Sequence, residues 1–168
     1  TLTAIANQTT PENTPTAAIV FTVADPDGPV ESLRLAAASS NSALAPSSGI
    51  AFGGQGANRT VTITPASNQA GVVSITIQLE DAEGGRASVT FDLTVTPGPP
   101  RITRQPTDQS VAAGAAVTFS VEATGTAPLR YQWQVNGADL AGQPNPTLQL
   151  SNVSSANTAE YSVAASNA

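Results

Sequence analysis

The sequence predicts an all-β chain folded as two tandem antiparallel β-sandwiches, the second incomplete at its C-terminus. Three observations predict it. Apolar residues recur at every second position in short runs, the mark of strands with one buried face. Turn-forming residues punctuate those runs, with Gly and Pro at 13 each among 168 residues. A proline-rich stretch, TPGPPRI at residues 96–102, cannot donate fully to a ladder and favours stiff extended backbone. It divides the chain into residues 1–97 and 98–168, each the size of one sandwich.

The first half carries about seven strands. An opening strand is expected around LTAIA. IVFTV then turns Ile19, Phe21 and Val23 inward, and SLRLAA turns Leu33 and Leu35 inward with Arg34 on the wet face. A weak strand follows at GIAF. RTVTIT contributes Val61 and Ile63, and VVSITIQLE contributes Val73, Ile75, Ile77 and Leu79. SVTFDLTV closes the set with Val89, Phe91, Leu93 and Val95. DPDG at 25–28, GGQG at 53–56 and DAEGG at 81–85 supply the turns, since Asp and Gly suit turn backbone. Short alternating strands in this number read as a β-sandwich.

The second half resumes the alternation. Val117, Phe119 and Val121 share a face in VTFSV, as do Leu129, Tyr131, Trp133 and Val135 in LRYQWQV. Asn136-Gly137 follows, a strong hairpin signal because both turn positions need positive φ. TLQL adds Leu148 and Leu150, and AEYSVAA adds Tyr161, Val163 and Ala165.

Composition excludes more than it assigns. Charged residues are 11% of the chain and the net charge is −6, the wrong sign for nucleic acid or an anionic membrane surface. No run approaches the roughly 18 apolar residues that span a bilayer. The chain contains no Cys, His, Lys or Met. Disulfides, zinc–thiolate sites and thiol nucleophiles are thereby ruled out, and so are Lys–Asn cross-links. Without His or Lys, the many Ser and Thr hydroxyls lack a base to activate them, so no enzymatic activity is expected. Aromatic content of 4%, with its best members facing inward, leaves little for a sugar platform. The exposed Thr rows suit strand surfaces on their own account. Three N-x-S/T triplets at Asn7, Asn58 and Asn152 are no more than a Ser/Thr-rich chain gives by chance. The absence of a signal peptide and of an initiator Met leads us to expect a piece of a longer protein.

Residues 100–168 resemble an immunoglobulin-like domain of the I-set type, as it occurs in large bacterial surface proteins. PRITRQPTDQSVAAGAAVTFSV, YQWQVNGADL and LQLSNVSSANTAEYSVAASNA carry the resemblance. It implies that Trp133 is the buried tryptophan of strand C. It also implies that Tyr161 is the tyrosine-corner residue, its hydroxyl bonding backbone near Asn157, where the family usually has Asp. The family's two cysteine positions fall on Val121 and Val163, an aliphatic pair in place of a disulfide. The family's strand G, which would follow AEYSVAASNA, has no counterpart in the sequence. Residues 1–97 resemble the cadherin-like or fibronectin-like sandwich repeats of the same long proteins, through ANQTTPENTPT, FTVADPDGP, GANRTVTITPASNQAG and ITIQLEDAEGG.

Two expectations about ligands follow. The cadherin resemblance makes Glu12, Asp81 and Glu83 weak calcium candidates, because calcium needs six to eight converging oxygens. Against it, PGPPRITRQP offers Arg101 and Arg104 where a cadherin linker offers acids. Asp25-Pro-Asp27 reads more simply as a turn. Otherwise no cofactor is expected, nor nucleic acid nor membrane insertion. The expected partners are neighbouring domains of one parent chain or identical subunits, with the ligand unassigned. The expected role is a non-catalytic spacer or stalk in a long extracellular or surface-anchored bacterial protein. The alternative is an adhesin or polymer subunit that associates by strand addition at an open edge formed by Tyr161, Val163 and Ala165. The missing strand would then come from further along the parent chain or from a neighbour, for which TLTAIANQ is one donor.

Overall fold

Alternating segments become strands in both halves of the computed structural model, which describes residues 1–167. The chain forms two compact units, Thr1–Pro97 and Gly98–Ala168. The first holds β1 (Gln8–Pro11), β2 (Ile19–Thr22), β3 (Arg34–Ser39), β4 (Ile50–Gln55), β5 (Asn58–Ile63), β6 (Gly71–Glu80) and β7 (Arg86–Thr96). The second holds β8 (Arg101–Arg104), β9 (Val117–Ser120), β10 (Glu122–Thr124), β11 (Leu129–Val135), β12 (Ala138–Asp139), β13 (Thr147–Leu150) and β14 (Tyr161–Asn167). Helical structure among the described residues is confined to three short 3₁₀ turns.

In the first unit the sheets are β1-β7-β6-β3 and β2-β5-β4. Their inner faces meet in one core, because every second residue of β2, β5, β6 and β7 points the same way. Phe21, Val61, Ile63, Val73, Ile75, Ile77, Leu93 and Val95 are each at most 2% exposed. The outer faces carry the complementary polar set, where Thr76 and Thr90 lie opposite each other and share a 2.9 Å hydrogen bond.

The start of this unit differs from the expectation. LTAIA forms no strand: Leu2 makes an isolated bridge to Val23, and Ile5 drops into the core at 9% exposure. The first regular strand is QTTP, residues 8–11, and it runs parallel to the end of β7. Alternation in LTAIA reflects a segment tacked down at two points, not a continuous ladder. β1 carries no apolar alternation, being polar, and it ends on Pro11, which suits an edge position.

In the second unit the sheets are β12-β11-β14, β13-β9 and β10-β8. β11 and β14 pair antiparallel along their full length, with Trp133 directly opposite Val163. The Asn136-Gly137 turn links β11 to β12 with φ of 48° and 79°, as a two-residue type I′ hairpin requires. Val121, Trp133 and Leu148 form the buried centre, and Phe119, Tyr131, Tyr161 and Val163 pack around it.

Candidate functional site

Trp133 is fully buried, and its indole N–H donates to Asn145 O at 2.9 Å, so burial leaves no orphan donor. Phe119 lies beside it, with ring centroids 6.3 Å apart, and stacks on Tyr161 at 5.1 Å. The Tyr161 hydroxyl donates to Asn157 O at 3.1 Å. Asn157 in turn closes a capping box: its side-chain oxygen accepts from Ser154 N at 2.9 Å. Val121 is 3% exposed, and Val163 packs on the same cluster. The aliphatic pair and the aromatic row thus share one core beside the tryptophan.

The calcium candidates do not converge. Glu12 is buried, and its backbone N–H donates to Thr96 O at the far end of β7. Asp81 and Glu83 sit in the hairpin that precedes Arg86, the opposite end of the same strand. At ~3.3 Å per residue the two groups stand about 33 Å apart along β7. Asp81 is also committed: its Oδ1 accepts from Glu83 N at 3.0 Å and from Gly85 N at 2.7 Å. That carboxylate builds the turn. The three residues do not lie together, and no group of three or more acidic residues converges among those described. Asp25-Pro-Asp27 is likewise a turn, with Asp25 Oδ1 accepting from Asp27 N at 3.3 Å.

TLTAIANQ makes its contacts within the first unit. The Thr1 amino group bonds Ala24 O, Thr3 N donates to Thr22 O at 3.1 Å, and Asn7 Oδ1 accepts from Asp92 N at 2.9 Å. The segment is held inside its own unit.

β14 is an edge strand among the described residues. Its ladder to β11 occupies one edge, and no other strand among the described residues pairs with it. Tyr161, Val163 and Ala165 turn to the half-buried side, while Ser162, Ala164 and Ser166 are exposed. A groove of about 450 Å³ runs between residues 106–111 and the start of β14. Val117, Phe119, Leu150 and Tyr161 form its floor, and Asp108 and Glu160 are its charged groups. Residues 106–111 are in no strand, so this groove was not legible in the sequence. Val111 at its rim is an apolar residue left 46% exposed.

Comparison with known proteins agrees with this geometry. Residues 2–94 match the family model described as a bacterial Ig domain, and residues 99–167 match one described as an immunoglobulin domain. The chain belongs to the bacterial Ig domain family. Among solved structures it is similar to the I-band fragment I67–I69 from titin, at TM-score 0.58 and 19% identity over 99% of this chain and 58% of that one. It is also similar to a chain in Dpr11 IG1 bound to DIP-gamma IG+IG2, at TM-score 0.57 and 16% identity over 98% and 89% of the two chains. These likenesses show the fold. A curated relative, Endoglucanase C of Cellulomonas fimi, is 41% identical over 58 residues, covering 32% of this chain and 5% of that protein.

Proposed function

We infer that the chain is a pair of non-catalytic spacer modules in a long extracellular bacterial surface or filament-forming protein. One observation carries this reading: in the first unit β1 and β7 run parallel, with Gln8, Thr9, Thr10 and Pro11 opposite Leu93, Thr94, Val95 and Thr96. Tension entering at the start of the unit and leaving at its end loads those hydrogen bonds together, in shear. A ladder sheared this way yields only when several bonds break at once, which suits a part that must keep its length under load. The short match within Endoglucanase C supports a module carried inside larger proteins, since it covers 5% of that chain.

Single-molecule pulling tests the reading. Pulled through its N-terminus and a Pro97→Cys handle, the first unit should unfold at a high force in a single event. Pulled between Pro11→Cys and Pro97→Cys, which sit at the same end of the ladder, β7 should peel away at a clearly lower force. Equal forces in the two geometries would remove the mechanical role.

The second reading, an adhesin or polymer subunit that associates by strand addition, has in its favour that β14 pairs with β11 alone among the described residues.

A further inference from the structure

We propose that β3 is a self-association edge. Two copies of the chain join their first units by laying β3 against β3, antiparallel, about a two-fold axis at Ala37. The contact goes beyond the spacer reading, because it gives the module a lateral partner as well as a length.

β3 is the outermost strand of β1-β7-β6-β3. Its free side is set within the chain, which leaves β3 through residues 40–49 and crosses to β4 in the other sheet. The direction of its backbone groups follows from one bond. Ser40 N donates to Ser74 O at 3.0 Å, the next step after Ser39 opposite Ile75 in the β3–β6 register. Hydrogen-bonded and non-bonded pairs alternate along an antiparallel ladder. Arg34, Ala36 and Ala38 therefore turn their N–H and C=O groups to β6, and Leu35, Ala37 and Ser39 turn theirs outward. No backbone hydrogen bond among the described residues takes up those outward groups. The 3₁₀ turn Ser47–Gly49 lies beside β3, but Gly49 bonds Pro46 and Thr64 instead.

The outward groups are complementary to themselves. With Ala37 on the axis, Leu35 meets the second copy's Ser39, Ala37 meets its own counterpart, and Ser39 meets Leu35. Each pair exchanges two hydrogen bonds, so one register satisfies every outward group and closes the contact by symmetry. The side chains permit the approach. Near the axis only alanines meet, Ala37 on the inner face and Ala36 against Ala38 on the exposed outer face. The bulkier Leu35 and Arg34 fall at the two ends, opposite Ser39 and Ser40.

Charge names the second copy as the occupant. Arg34 is the only charged residue of β3, and Glu31 in the 3₁₀ turn before it carries the opposite sign. The edge has no net charge with which to recruit an acidic or a basic peptide. In the dimer both groups fall opposite the uncharged residues 40–43. The two Arg34 side chains stand about 20 Å apart along the strands, well beyond the screening length of about 8 Å in physiological salt. No like charges are brought face to face, although each chain carries −6.

The test follows the whole chain up to millimolar concentration by sedimentation equilibrium and residue-resolved hydrogen exchange. A monomer–dimer equilibrium is expected, with the amides of Leu35, Ala37 and Ser39 slowing as dimer forms. Ala37→Pro removes an outward donor and no bond to β6, a position where edge strands accept proline. It should weaken dimerisation roughly tenfold or more. A charge pair tests the register without touching the backbone. A copy with Ala36→Glu and Ala38→Glu should stay monomeric, as should one with Ala36→Lys and Ala38→Lys, whereas their equimolar mixture should pair. Both positions are exposed, and an unchanged melting temperature checks that both copies keep their fold. The proposal is overturned if the chain stays monomeric at millimolar concentration, or if the oppositely charged copies do not pair. It is overturned equally if the Leu35, Ala37 and Ser39 amides are already protected in the monomer, the chain then covering its own edge. Dimerisation that protects other amides instead would place the contact elsewhere and also overturn it. The force measurement is made on single molecules, so this contact and the spacer role stand or fall separately.

Discussion

Tyr161 shows how one side chain is read at two depths. Its position in AEYSV marks it as inward by parity, and the structure adds two partners, the Phe119 ring and Asn157 O. Tyr161→Phe keeps the stacking and loses the hydrogen bond. We expect a loss of about 1 kcal/mol, seen as a fall of roughly 4–8 °C in the melting temperature of a unit this small. A change within error would show that water replaces the bond at no cost. Residues outside strands were harder to foresee. Leu44 and Ala45 are buried at 3% and 0%, yet they lie in the loop SSNSALAPSS. Asn41 puts them there, its side-chain oxygen accepting from Ala43 N at 3.0 Å and Leu44 N at 3.3 Å. Such an Asx turn has a sequence cue in Asn, but nothing in the cue says which side of the turn meets the core.

At the scale of elements, turn chemistry and strand pairing behaved differently. The Asn136-Gly137 hairpin could be read directly, because few residues accept positive φ at both positions. Gly137→Ala places a Cβ at φ 79° and should cost about 1–2 kcal/mol, measurable as a lower midpoint in chemical denaturation. No loss would mean that the turn relaxes to another type. Asn136 does more than turn: its backbone N–H donates to Glu160 O at 2.8 Å and its side-chain oxygen accepts from Glu160 N at 3.1 Å. The hairpin is thereby fastened to the entry of β14. β1 was the opposite case. Its partner, β7, lies more than eighty residues further along the chain, and a polar QTTP segment holds no sign of that partner. The clamp that carries the spacer reading is therefore a tertiary fact.

At the scale of the whole molecule the two units are unequal. One cluster of fifteen buried apolar residues serves the first, whereas the second centres on Val121, Trp133 and Leu148. Small domains bury proportionally less surface and are correspondingly marginal. We expect residues 1–97 to fold as a separate polypeptide, and the second unit to melt at the lower temperature in calorimetry of the whole chain. A second unit that outlasts the first would contradict this account of the cores. Millimolar calcium should leave both transitions where they are, because Glu12 lies far from Asp81 and Glu83 along β7. A rise in either midpoint would point to a shell built from other oxygens.

The sequence by itself determined which residues face inward, because a strand's period of two writes burial into the spelling of IVFTV, VVSITIQLE and LRYQWQV. It also determined the type I′ turn, through the steric demand at Asn136 and Gly137, and it excluded thiol and imidazole chemistry by composition. Only the tertiary structure decided which strand lies beside which. It paired β1 with β7, separated Glu12 from Asp81 and tied TLTAIANQ into its own unit. Side-chain alternation is a local property of the backbone, whereas pairing depends on backbone N–H and C=O groups that every residue carries alike.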